Sequence, residues 1–74
     1  MTRPISDTAA EAVRLNFNPS GESPVDELKT IAAEFITKCE AVQQDIPAAG
    51  RELALARTYV ETAQMWAVKG ATKR

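Results

Sequence analysis

A chain of 74 residues is one small domain at most, and a domain of that size covers too little of its own surface to be secure alone. Its single cysteine excludes an internal disulfide, and the absence of histidine or a second thiol excludes an ordinary structural zinc site. With 9 Lys plus Arg against 10 Asp plus Glu, a net charge of -1 and no long apolar run, neither duplex DNA nor a membrane is an expected partner. Assembly with further copies is the stabilising device that remains. The stretch from Met1 to Ala10 has no apolar centre and does not read as a signal peptide. A lone thiol also suits a reducing compartment, so a cytoplasmic location is expected.

Residues 1–23 form the least regular segment. Ser6 or Asp7 is placed to cap a short helix that runs on through Leu15. The following Asn16-Phe17-Asn18-Pro19-Ser20-Gly21 is rich in turn formers, and Pro19 disfavours helix at Asn18. Ser23 then precedes Pro24, with Asp26 and Glu27 in the first turn, which predicts a long helix over residues 24–44. Val25, Leu28, Ala32, Phe35, Cys39 and Val42 recur on it at heptad steps, flanked by Ile31 and Ile36. Pro47 marks a break within Asp45 to Gly50. A second long helix is predicted over residues 48–70. Its seam is Leu53, Ala56, Val60, Ala63 and Ala67, and a second stripe holds Leu55, Tyr59, Thr62 and Trp66, widened by Met65 and Val68. The expected fold is all-α: an antiparallel helical hairpin with a short N-terminal helix, forming one domain over residues 1–74. A hairpin buries one stripe of each helix. The second stripe therefore predicts a homo-oligomer.

The catalytic inventory is thin. Without histidine there is no imidazole base, the glycines stand apart, and the acids are scattered or sit at helix starts. Neither an enzyme nor a bound cofactor or metal is expected. Cys39, on the seam, reads as a small buried apolar residue. Cations and an aromatic remain. Lys69, Lys73 and Arg74 make the end of the second helix basic. They suit the negative helix terminus, or, repeated by symmetry around an axis, a ring that holds a compact polyphosphate. Lys29, at the margin of the first seam, reads either as a solvated ion-paired lysine or as an anion contact. Phe17 reads as a plug under the fold or as a stacking platform for a nucleobase. Arg57 and Thr58, polar and central in the second helix, satisfy each other or a neighbour, or face a shared pocket.

The ordered set Val25-x-x-Leu28-Lys29, Phe35-Ile36, Arg51, Ala56-Arg57-Thr58 and Met65-Trp66-Ala67-Val68-Lys69-Gly70-Ala71 resembles the helical hairpin of phage sponge proteins that inhibit CBASS and Thoeris defence. The resemblance covers Asn16 to Ala71. It implies a hexamer built from interlocked trimers. It further implies cyclic dinucleotides bound between protomers, cyclic trinucleotides on the threefold axis in some members, and no cleavage of the ligand. By that resemblance Lys29 matches the lysine that contacts the phosphates. Lys69 stands for the arginine that contacts the trinucleotide, keeping the charge and losing the planar fork. Phe17 or Asn16 lies nearest the family's stacking tyrosine.

The leading expectation is thus a cytoplasmic, non-catalytic sponge in an infected bacterium, with Lys29, Phe17, Asn16, Lys69, Thr58 and Arg57 as ligand-binding residues. The alternative is a helical protein-interaction or structural module of a phage with no nucleotide ligand. A small nucleic-acid-binding regulator is disfavoured by the missing basic stripe.

Overall fold

Helix α1 begins because Ser6 is an extended residue whose hydroxyl accepts from the Ala9 amide at 3.1 Å, with Asp7 in the first turn. The structure, a computed structural model, describes residues 5–16, 21 and 23–73. In it α1 spans Asp7–Ala12 and α2 spans Ser23–Asp45. After a 3-10 turn over Pro47–Ala49, α3 spans Gly50–Ala71 and folds back on α2 to complete an all-helical hairpin.

Helix α1 is shorter than the sequence suggests, and Arg14 is the reason. Its φ of 53° is left-handed. The Arg14 amide donates to the Glu11 carbonyl at 3.1 Å and the Leu15 amide to the Ala10 carbonyl at 2.9 Å. These are the two bonds of a Schellman closure, which usually places glycine at the left-handed position. An arginine there costs about 1–2 kcal/mol. The closure turns the chain so that Leu15 packs back against the core.

That core comprises Ala9 and Val13 of the α1 segment with Ala32, Ala33 and Ile36 of α2. Ile5, Ala12, Leu15 and Val60 are packed around it. The alanines let α1 lie close on α2. Two polar ties hold it there. The Ser6 amide donates to Thr37 Oγ1 at 3.0 Å, and the Ser6 hydroxyl donates to Glu40 Oε1. Ser6 therefore starts one helix and fastens it to another.

The buried stripe of α2 differs from the expected seam. Val25, Ala32 and Cys39 are buried, but so are Lys29, Ala33, Ile36 and Thr37, while Phe35 stays 49% exposed. The cause is α1, which covers the flank next to the α3 contact and widens the buried sector on that side. Ser23 is the first helical residue of α2 rather than its cap. Ile31, Phe35, Leu55, Tyr59, Met65 and Trp66 remain exposed on a body 44 × 24 × 18 Å in extent. No helix of the described residues is long and apolar enough to cross a membrane.

Ile36 is 2% exposed at the junction of α1 and α2. Ile36→Ala is expected to destabilise the protein by about 2–5 kcal/mol, through lost burial and the cavity left behind. Urea unfolding followed by circular dichroism measures this; an unchanged midpoint would show that α1 does not pack here.

Candidate functional site

The closure of α1 creates the most unusual polar environment in the chain. A lysine at a helix margin normally extends into water, yet Lys29 is only 5% exposed. Its Nζ donates to the carbonyl oxygen of Arg14 at 2.9 Å. The strained residue thus supplies the acceptor that lets the ammonium be buried. Burial lowers the Lys29 pKa below its ordinary 10.5; the Arg14 guanidinium lowers it further, while Asp26 opposes both. Because the folded state disfavours the charged form, this group penalises stability below its folded pKa. The penalty is relieved as pH rises through that value toward 10.5. An incoming anion would remove the same penalty.

Lys29 lines a cleft of about 200 Å³ together with Ala12, Val13, Arg14, Gln64, Met65 and Val68. Three segments meet here: the α1 turn, the first part of α2 and the last third of α3. Gln64 is 8% exposed, and its Oε1 is buried without a hydrogen-bond partner among the described residues. The cleft therefore offers a cation and an unsatisfied acceptor between apolar walls. Arg14 also borders an open recess on the other side of the turn, shared with Asp7, Ala10, Glu11, Leu15 and Asn16.

The other sequence candidates lie apart from this cleft. Asn16 is exposed in the open recess beside Arg14. Phe17 lies outside the described residues. Arg57 and Thr58 line a separate recess with Thr8, Ala12, Ile36, Ala54 and Glu61. Thr58 Oγ1 donates to the Ala54 carbonyl at 3.1 Å. Arg57 Nη1 stands 4.0 Å from Glu40 Oε2, while its Nε is buried with no hydrogen-bond partner among the described residues. An ion pair at that distance, partly in water, contributes little. Lys69 is exposed on the far end of α3, its Nζ 4.9 Å from the centre of the Trp66 ring. A single chain thus unites Lys29 with Arg14 and Gln64, and leaves Lys69 and the Arg57–Thr58 pair elsewhere.

Arg14 and Gln64 escaped the sequence reading. Nothing in the sequence marks an arginine as left-handed. Gln64 did carry a signal, since it follows Val60 by one helical turn and so shares the inward face of α3. Among the described residues, no cluster of groups is arranged to hold a metal ion.

Together these features define a small helical-hairpin protein with a cation-lined cleft at the crossing of its three helical segments. The chain belongs to the Acb2/Tad1 hairpin-domain family, whose model matches residues 7–72, and this is the sponge family that the ordered motifs resemble. Family membership fits a phage anti-defence hairpin protein. No curated protein and no solved structure matches the chain.

Cys39 lies near the Arg57–Glu40 pair. Burial raises its thiol pKa first and Glu40 adds to this, while Arg57 works against them. A buried, protonated thiol is a poor nucleophile. Ellman's reagent at pH 8 is expected to label the native protein slowly and the urea-unfolded protein at once; equally fast labelling in buffer would contradict the burial of this seam.

Proposed function

We propose that this protein is a non-catalytic sponge that binds cyclic oligonucleotide immune signals and withholds them from the host's CBASS or Thoeris effectors. The observation that carries this reading is Lys29, a residue only 5% exposed whose ammonium is bonded to the Arg14 carbonyl and which lines a cleft with Arg14, Gln64 and four apolar residues. A desolvated cation interacts far more strongly with a phosphate than one in water does. Family membership supports a cyclic nucleotide as the ligand, and a cyclic dinucleotide is the form proposed here.

A cleft of about 200 Å³ is too small for such a ligand, since pockets that enclose small molecules run to roughly 300–1,000 Å³. The remainder of the site comes from a second copy. Exposed apolar groups on α2 and α3, with Tyr59 70% and Trp66 66% exposed, supply the surface for that association. The proposed assembly is a hexamer of interlocked trimers. In it Lys69 repeats around the threefold axis and holds a cyclic trinucleotide. Phe17 stacks on a base or Asn16 contacts one, while Arg57 and Thr58 face a neighbouring protomer. The protein acts in the cytoplasm of the infected bacterium, without cofactor and without cleaving the ligand.

Isothermal titration against a panel of cyclic di- and trinucleotides and cyclic ADP-ribose isomers tests this reading. At least one is expected to bind and to be recovered chemically intact. Lys29→Ala is expected to weaken cyclic dinucleotide binding by about 2 kcal/mol or more, the cost of removing one partner from a buried charge pair. Its mass by light scattering should not change. Absence of heat with every ligand would overturn the sponge and leave the exposed stripe to a protein partner.

A further inference from the structure

Gln64 is the one buried residue among the described positions of α3, and it is polar. A helix that buries a single side chain against its neighbours ordinarily selects an apolar one. Gln64 is 8% exposed and its buried Oε1 finds no donor among the described residues. Leaving an acceptor buried and unpaired is unfavourable, and such a group calls for a partner from outside the protein. The amide shares its cleft with Lys29, so an anion seated on the lysine brings its neighbouring atoms to Gln64. The cleft holds about 200 Å³, enough for a phosphate and part of the attached sugar but not also for a base. The donor that adjoins a phosphate in a cyclic oligoribonucleotide is a free ribose hydroxyl.

We propose that Gln64 is a specificity residue whose side-chain carbonyl accepts a hydrogen bond from a ribose hydroxyl of a phosphate-linked ligand held at Lys29. This rests on the reading of Lys29 as a phosphate contact. Gln64 thereby lets the protein distinguish ribose from deoxyribose rings, as the 2′-hydroxyl does wherever proteins tell RNA from DNA. Met65 and Val68 supply apolar lining of the same cleft.

The test compares 3′,3′-cyclic GMP–AMP with its fully 2′-deoxy analogue on the assembled wild-type protein, Gln64→Met and Lys29→Ala. Wild type is expected to bind the ribose form about tenfold more tightly, the worth of one buried hydrogen bond. Gln64→Met keeps the volume and removes the acceptor. It should bind both forms with the affinity that wild type has for the deoxy form. It should melt no lower than wild type, because an unpaired buried group has been removed. Lys29→Ala should bind both forms more weakly, with their ratio kept. If wild type binds the two forms equally, or Gln64→Met retains the preference, Gln64 does not read the sugar, although Lys29 still contacts the phosphate. A fall in melting temperature for Gln64→Met with the preference intact would make the residue structural and overturn the proposal. If no form binds to wild type, both readings fail together.

Discussion

The hydrogen bond from Lys29 Nζ to the Arg14 carbonyl organises the rest of the molecule around it. An ammonium cannot leave water without an acceptor. Here the acceptor exists because α1 is stopped by a left-handed arginine and its chain turns back toward α2. Ser6 fixes the other end of α1, through its cap on Ala9 and its ties to Thr37 and Glu40. The short helix is held at both ends, and the cation lies beneath its closing turn. Backbone strain, helix closure and side-chain burial are thus parts of one arrangement.

A second constraint is size. Three helices of this length bury Ala9, Val13, Ala32, Ala33 and Ile36 well, yet Phe35, Tyr59, Met65 and Trp66 stay exposed. Among the described residues of α3 only Gln64 is buried, so that helix adds little to the core. The proposed assembly joins these two facts. In it the exposed stripes would bring copies together, and the cleft at Lys29, about 200 Å³ in one chain, would be enlarged where they meet. Ligand binding and self-association would then share a surface, so a substitution at Trp66 would disturb both.

Much of the hairpin was legible in the sequence. Steps of three and four along both helices, and Pro47 between them, point to an all-α hairpin, and Ser6 is a recognisable cap. The site was less legible. Lys29 stood out as a cation beside an apolar seam, but its burial depends on α1 lying across it, and heptad spacing carries no information about a third segment. The same cause places Phe35 outside and Ile36 inside. Arg14 was hidden because its role is a backbone conformation that glycine usually fills. Gln64 shares the inward face of α3 with Val60, but a glutamine there reads as solvated until the packing is known. Phe17 lies outside the described residues.

Titration of the Lys29 side chain by heteronuclear NMR, with and without a cyclic dinucleotide, tests the buried cation most directly. In the free protein its ammonium should lose its proton below the ordinary pH of 10.5. Ligand should move that titration upward, because a bound phosphate favours the charged form. A lysine that titrates at its ordinary value, unmoved by any cyclic dinucleotide, would contradict both the buried geometry and its proposed use.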